Sequence, residues 1–101
     1  MISIALVDDE HSILTSVSLA LESEGYQVDT FPNGIDALKA LETKIYDLGL
    51  FDIKMPKMDG NELLNKVRTS KNLNLKEMPI IFLTSKDQEQ DEIIGLRMGA
   101  A

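Results

Sequence analysis

Short apolar segments alternate with stretches of helical period, and this alternation limits the fold more than any other feature of the chain. Each of four apolar segments is followed by a stretch in which apolar residues recur every three or four positions. The predicted strands are 2–7, 26–31, 48–51 and 79–84. The order βαβαβαβα predicts an α/β domain: a doubly wound parallel sheet with right-handed crossovers and helices on both faces.

Residues that start or stop helices divide the stretches between the strands. Gly25 stands where a left-handed C-terminal cap would end the first helix, and Asn33 is a candidate N-cap for the second. Asp59 and Glu62 have the spacing of a capping box, which predicts the start of the third helix. The polar residues 69–77 are predicted to form a loop, and a fourth helix is predicted from Asp87 through Ile93, Ile94, Leu96 and Met98 to a stop at Gly99.

Charge and cysteine content exclude several classes of protein. The chain of 101 residues has 17 acidic and 10 basic residues, a net charge of −7, and no cysteine. Clustered basic residues for nucleic-acid binding are not expected, and neither a disulfide framework nor a thiolate zinc site can form. The apolar runs are too short to span a bilayer and no secretory signal is apparent, so we expect a cytoplasmic location with no membrane or nucleic-acid binding by this chain.

Polar side chains follow three of the predicted strands. Asp8 and Asp9 follow the first strand, Asp52 follows the third and Thr84 ends the fourth. Ligands of such sheets bind beyond the carboxyl ends of the strands. Carboxylates gathered there repel one another unless they are protonated or share a cation, and Mg²⁺ prefers oxygen ligands. One carboxylate could then act as a nucleophile toward phosphorus and give an aspartyl phosphate.

A plainer interpretation exists for each of these residues. Asp8 and Asp9 could be a solvated pair that caps the first helix, Asp52 could be an ordinary turn residue, and Thr84 could reflect only β-propensity. For Asp52 the functional interpretation is favoured, because Pro56 and Gly60 shape a rigid loop behind it that a plain turn would not need.

Four motifs together resemble the receiver domain of two-component response regulators. They are L-V-D-D-E at 6–10, D-I-K-M-P-K-M-D-G at 52–60, L-T-S at 83–85 and G-A at 99–100. The resemblance covers the whole chain, 1–101. The residues around Asp52 and Thr84 are most similar to those of regulators of the OmpR/PhoB type, the ChvI group included. It implies a flavodoxin-like receiver fold with the strand order 2-1-3-4.

The resemblance also implies a role for each motif residue. Asp52 would be the phosphoacceptor, Asp9 a direct magnesium ligand and Asp8 a ligand acting largely through water. The backbone carbonyl of Lys54 would complete the protein ligands, and the Thr84 hydroxyl would bond a phosphoryl oxygen. The donor would be the phosphohistidine of a sensor histidine kinase. The chain would then be a signalling domain rather than an enzyme.

The sequence departs from the family pattern at its end. Receivers normally continue past 99–100 into a fifth strand and fifth helix, which bring a lysine that pairs with the phosphoryl group. No DNA-binding domain follows within this chain either. The fold is therefore expected without its fifth strand and helix, with an open edge on the fourth strand that favours self-association, as a dimer that could exchange elements.

These observations suggest three candidate functions. The first is phosphotransfer onto Asp52 with magnesium. The second is an interaction fragment that keeps the fold, cannot be phosphorylated and self-associates through the open edge. The third is a phosphohydrolase of the haloacid dehalogenase type, which also uses a strand-end aspartate. That class needs a second aspartate two positions later, where this chain has Lys54, so the third hypothesis is disfavoured.

Overall fold

The computed structural model describes residues 1–83 and the backbone of a short strand at 96–98. The described elements alternate as the sequence predicts, with two differences given below. In chain order they are β1 (Ser3–Val7), α1 (His11–Ser23), β2 (Gln27–Phe31), α2 (Gly34–Leu41), β3 (Leu48–Asp52), α3 (Gly60–Arg68), α4 (Leu73–Lys76), β4 (Ile80–Leu83) and β5 (Leu96–Met98).

The strands form one sheet in the order β2-β1-β3-β4-β5. The first four are parallel, which confirms the predicted doubly wound sheet and its 2-1-3-4 order. Val7 pairs with Phe51, and Asp52 pairs with Leu83. The carboxyl ends of β1, β3 and β4 therefore lie side by side at one edge of the sheet.

The two faces of the sheet are covered by different helices, and this explains why β1 is almost entirely apolar. Ala5 and Val7 belong to the buried cluster that includes residues of α2 and α3. Ile4 and Leu6 point the other way and pack with Leu14 of α1. A strand that is buried on both faces cannot alternate apolar with polar residues.

The predicted helix caps are present. The Asn33 side chain accepts a hydrogen bond from the backbone N–H of Asp36 at 2.7 Å, and α2 begins there. Asp59 accepts from the N–H of Glu62 at 2.8 Å at the start of α3. Gly25 has a φ of 96°, the left-handed conformation predicted for the residue that ends the first helix.

The segment 69–77, predicted to be a loop, contains the one-turn helix α4. Asn72 caps it by accepting from the N–H groups of Asn74 and Leu75, at 3.0 and 3.4 Å, and the Leu75 side chain is buried. A single turn is too short to give a periodic apolar pattern, so polar composition alone led to the wrong prediction.

Residues 96–98, predicted to be helical, form β5 instead. This strand runs antiparallel to β4, with Ile81 opposite Met98. Apolar residues at 96 and 98 fit the two-residue period of a strand as well as a helix, and pairing satisfies backbone groups of β4 that an open edge would leave without partners. The expectation of an open β4 edge is therefore wrong where β5 pairs. The remainder of the predicted fourth helix and its stop at Gly99 lie outside the described residues.

The longest described helix is α1, with 13 residues. Across residues 1–83 and the strand at 96–98, no helix combines the length and apolar character needed to cross a membrane.

Candidate functional site: an acidic group at the strand ends

Three carboxylates meet where β1 and β3 end. Asp8 and Asp9 directly follow β1, and Asp52 is the last residue of β3, its immediate neighbour. Each contributes a carboxylate oxygen, and these oxygens all lie within 4.8 Å of one another. The structure thus brings together three of the residues that the sequence singled out.

Two of these carboxylates are buried. Asp8 is 0% exposed and Asp52 is 2% exposed, whereas Asp9 faces solvent. Removing like charges from water at such short separation is unfavourable unless protons or a cation compensate. A set of oxygen donors with one face open to solvent fits a hard divalent cation that keeps part of its water shell.

Backbone hydrogen bonds fix the position of Asp8. Its N–H donates to the carbonyl oxygen of Phe31 at 3.1 Å, which continues the pairing of β1 with β2 by one residue. Its Oδ1 accepts from the N–H of Glu10 at 2.9 Å. The N-cap position of α1 is Glu10, with no side-chain capping bond, so in the structure neither Asp8 nor Asp9 is the N-cap of α1.

The loop after Asp52 is tightly built. The N–H of Met58 donates to the carbonyl oxygen of Pro56 at 2.8 Å, and Lys57 between them has a φ of 70°. This is the pattern of a γ-turn with a positive central φ, a rare and strained conformation. The N–H of Gly60 donates to the carbonyl oxygen of Ile53 at 2.8 Å and closes the loop.

Gly60 lies against the backbone of Asp52. A Cβ atom on residue 60 would overlap the carbonyl oxygen of Asp52 and would lie 3.0 Å from the Cα of Ile53 and from a ring carbon of Phe82. The first turn of α3 can approach β3 this closely only because residue 60 has no side chain. Gly60 is thus part of the packing that holds the loop.

The remaining predicted site residues are placed as follows. Lys54 lies two residues beyond Asp52 with its side chain exposed, and Pro56 lies in the same loop. Thr84 lies outside the described residues. Sequence reasoning missed Lys57, because lysine gives no indication of a positive φ, and it missed Gly34, whose close approach to Met58 is visible only in three dimensions.

A second polar cluster joins β2 to the connection between α2 and β3. Asp29 accepts hydrogen bonds from the Lys44 ammonium group at 2.8 Å and from the Tyr46 hydroxyl at 2.6 Å. The bond from Lys44, and then that from Tyr46, lower the pKa of Asp29. Burial and the bond to Asp29 raise the pKa of Tyr46. These groups stabilise an edge strand and are separate from the three carboxylates.

Comparison with known proteins identifies the family. The family model described as "Response regulator receiver domain" matches residues 4–101. The chain belongs to this family. It is 43% identical to the regulatory protein PhoP of Bacillus subtilis, which controls alkaline phosphatase synthesis, over 97 residues that cover 96% of the chain and 39% of PhoP. It is 42% identical to the regulatory protein DltR of Streptococcus agalactiae, covering 94% of the chain and 41% of DltR.

Solved receiver structures share the fold. Chemotaxis protein CheY4 of Vibrio cholerae superposes with a TM-score of 0.79 at 33% identity, covering 94% of the chain and 78% of CheY4. TrrA of Thermotoga maritima, solved in complex with Mg²⁺ and BeF, gives 0.78 at 38% identity, covering 90% of the chain and 76% of TrrA. TrrA was also solved in complex with the histidine kinase ThkA.

Family membership confirms the predicted class. Receivers are signalling domains of two-component regulators. PhoP and DltR are transcriptional regulatory proteins, and PhoP is of the OmpR/PhoB type. The chain spans about two fifths of the length of the curated relatives that it matches.

Proposed function

We propose that this receiver accepts a phosphoryl group on Asp52 from the phosphohistidine of a sensor histidine kinase. The observation that carries the proposal is the meeting of the carboxylates of Asp8, Asp9 and Asp52 within 4.8 Å, with Asp52 fixed at the end of a buried strand. A carboxylate held in one position needs little reorganisation to attack phosphorus in line with the bond that breaks.

Magnesium is the proposed cofactor. Asp9 and Asp52 would bind it directly, Asp8 would bind it largely through water, and the backbone carbonyl of Lys54 would be a further ligand. Bound there, Mg²⁺ would neutralise negative charge on the transferring phosphoryl group. The complex of TrrA with Mg²⁺ and BeF supports this choice of metal.

The transfer exchanges one bond to phosphorus for another. An oxygen of the Asp52 carboxylate forms the new O–P bond while the P–N bond of the phosphohistidine breaks, and its electron pair returns to the imidazole nitrogen. The products are an aspartyl phosphate and an unphosphorylated histidine. The Thr84 hydroxyl is proposed to donate a hydrogen bond to a phosphoryl oxygen of the product.

The proposed partner is a sensor histidine kinase, and the ThkA–TrrA complex supports that class of partner. We further propose that the chain, 1–101, is the receiver unit of a transcriptional regulator and that it is located in the cytoplasm. Its relatives PhoP and DltR are transcriptional regulatory proteins.

A small-molecule phosphodonor tests the proposal without the kinase. The chain is incubated with phosphoramidate and MgCl₂, and its intact mass is measured. A phosphoryl increment is expected in the wild type and none in Asp52→Asn. Asp59→Asn is the matched control, because it removes a nearby negative charge while asparagine keeps the N-cap of α3. An increment that survives in Asp52→Asn, or none in the wild type at any magnesium concentration, contradicts the proposal. The second outcome favours the interaction fragment.

Self-association stays a prediction. Ile81 and Leu83 are only partly buried and pack on the α1 side of the sheet, which favours an apolar contact there. Pairing of β5 with β4 counts against the backbone edge through which it was expected. Size-exclusion chromatography with light scattering is the test, and a monodisperse monomer would overturn this prediction.

A further inference from the structure

The first residue of α2 packs against the loop that follows Asp52. A Cβ atom on Gly34 would lie 3.1 Å from the Cγ, the Sδ and the carbonyl oxygen of Met58. Carbon atoms in good contact are separated by about 3.5 to 4.0 Å, and contacts of 3.1 Å are tight for all three atoms, so Met58 would have to move by a few tenths of an ångström to admit a methyl group. Gly34 is not among the glycines with a positive φ. Limited space, rather than backbone conformation, therefore favours glycine here.

α2 is held firmly where it meets the loop. Asn33 caps the helix through the N–H of Asp36, and the N–H of Ala37 donates to the Asn33 carbonyl oxygen at 3.2 Å. Ala37 and Leu41 are buried in the main core cluster. Because the helix is anchored at its cap and along its buried face, strain from a larger residue 34 would pass mainly to the loop.

Met58 is the part of the loop that would move. It is 8% exposed, and one of the three close atoms is its backbone oxygen, which cannot swing away as the end of a side chain can. Its N–H donates a hydrogen bond to the carbonyl oxygen of Pro56, and the hydrogen bond from the N–H of Gly60 to Ile53 closes the loop. A displacement of Met58 would therefore shift the backbone between Asp52 and Gly60.

The solvent side of the same junction is open. A cleft of about 380 Å³ separates the start of α2 from the loop, and it is lined by Pro32, Asn33, Ile35, Asp36, Pro56 and Lys57. The close approach described above is thus on the buried side, between Gly34 and Met58.

We propose that Gly34 is a positioning residue for the acidic site. Because residue 34 has no side chain, Met58 can pack against α2. This contact fixes the loop that begins at Asp52 and contains the Lys54 carbonyl. The consequence for magnesium rests on the proposed function, whereas the effect on the loop does not. A larger residue 34 would displace the loop and weaken Mg²⁺ binding.

Gly34→Ala tests both parts in the 101-residue chain. Backbone amide chemical shifts are compared with those of the wild type in metal-free buffer, and MgCl₂ is then titrated into each protein. We expect the amide signals of residues 53–55, 57 and 58 to shift. The affinity for Mg²⁺ should fall by about threefold or more, but by less than the 10- to 100-fold loss that is typical when a group that directly orients a ligand is removed.

Two further variants separate positioning from general destabilisation. Met58→Ala removes two of the three close atoms, so the double variant Gly34→Ala/Met58→Ala should lose less affinity than the two single losses combined. Asn33→Ala removes the cap of α2 but leaves the Gly34 contact, so it should lower stability without changing Mg²⁺ affinity.

The outcomes distinguish this inference from the proposed function. Unchanged amide shifts and affinity in Gly34→Ala overturn it, and so does an equal loss of affinity in Asn33→Ala. If the wild type binds no Mg²⁺, the proposed function fails instead, and the metal-free amide shifts still decide whether Gly34 positions the loop.

Discussion

Gly60 meets the carbonyl oxygen of Asp52 so closely that no side chain fits between α3 and the end of β3. Through this contact α3 packs directly against Asp52, the residue proposed to accept the phosphoryl group. The N–H of Gly60 is bonded to the carbonyl oxygen of Ile53, so residue 60 cannot move away without losing that bond. Backbone packing, and not only side-chain chemistry, therefore fixes the geometry around Asp52.

Gly60→Ala is expected to destabilise the chain. Overpacking of this kind typically costs 1 to 3 kcal/mol, and the upper part of that range is expected because the added methyl group meets backbone atoms. Urea unfolding at equilibrium measures the effect. Asn61→Ala, on the exposed neighbour, should change stability by less than about 0.5 kcal/mol. Equal stability of Gly60→Ala and the wild type would show that α3 can shift at little cost.

Lys57 should tolerate only residues that accept a positive φ. Asparagine adopts a positive φ more readily than lysine, and β-branched residues adopt it least. Lys57→Asn should therefore leave stability unchanged or raise it, whereas Lys57→Val should lower it by about 1 to 3 kcal/mol. Both replacements remove the same charge, so a comparison of their urea midpoints isolates the backbone effect. Valine as stable as asparagine would argue against the observed turn.

The C-terminus of α1 carries charge of the unfavourable sign. Glu22 lies in its last turn, Glu24 is its C-cap residue, and no basic residue lies in the last turn. Reversing one charge should stabilise the helix by about 0.3 to 1 kcal/mol at low ionic strength. We expect Glu24→Lys to raise the thermal midpoint, with Glu24→Gln in between. The gain should shrink in 1 M salt, and a gain that ignores salt would point to a cause other than electrostatics.

The Asp29 cluster should make stability depend on pH in the acid range. Because its bonds to Lys44 and Tyr46 lower the folded-state pKa of Asp29 from its usual 3.8, the stabilisation is present above pH 3.8 and is lost as the pH falls through the folded-state pKa. Lys44→Met should be less stable than the wild type at pH 7, by no more than about 1 kcal/mol since the pair is partly exposed.

In urea unfolding experiments, that difference should shrink as the pH falls below 3.8 and vanish once the pH is below the lowered folded-state pKa of Asp29. Lys39→Met, which removes an exposed lysine of α2, serves as the control and should show no such trend. A constant difference between Lys44→Met and the wild type from pH 7 to pH 2 would remove Asp29 from the explanation.

The parts of the fold that the sequence predicts are those with strong local patterns. The apolar runs of β1 and β3 lead directly to Asp8 and Asp52. Asn33 and Asp59 cap helices through bonds to N–H groups only three residues along the chain, so a short stretch of sequence is enough to predict them. Parallel pairing then places the strand-end carboxylates together without further information.

The parts that it does not predict depend on tertiary contacts. α4 is one turn stabilised by the Asn72 cap and the burial of Leu75, and its residues carry no periodic pattern. Residues 96–98 become a strand because β4 offers an edge to pair with. The positive φ of Lys57 and the close approach of Gly34 to Met58 are set by the folded loop. The residue types at these positions do not predict either feature.

Magnesium should stabilise the chain through Asp9. A ligand that binds only the folded state raises stability by about 2.7 kcal/mol at a hundred times its Kd, so MgCl₂ should raise the thermal midpoint of the wild type. Asp9 is exposed, whereas Asp8 and Asp52 are buried, so Asp9→Asn should remove a metal ligand with little disturbance of the core. We expect Asp9→Asn to remain folded, but its thermal midpoint should no longer rise when MgCl₂ is added.

Asp36→Asn is a matched control for Asp9→Asn, because Asp36 is an exposed carboxylate at the start of α2 that is not part of the three-carboxylate group. Its thermal midpoint should rise with MgCl₂ as that of the wild type does. The same measurement with CaCl₂ should distinguish a preference for small octahedral ions from general neutralisation of charge. If Asp9→Asn kept the full response to MgCl₂, Asp9 would not be a ligand, and the metal would have to be held by Asp8 and Asp52 without it.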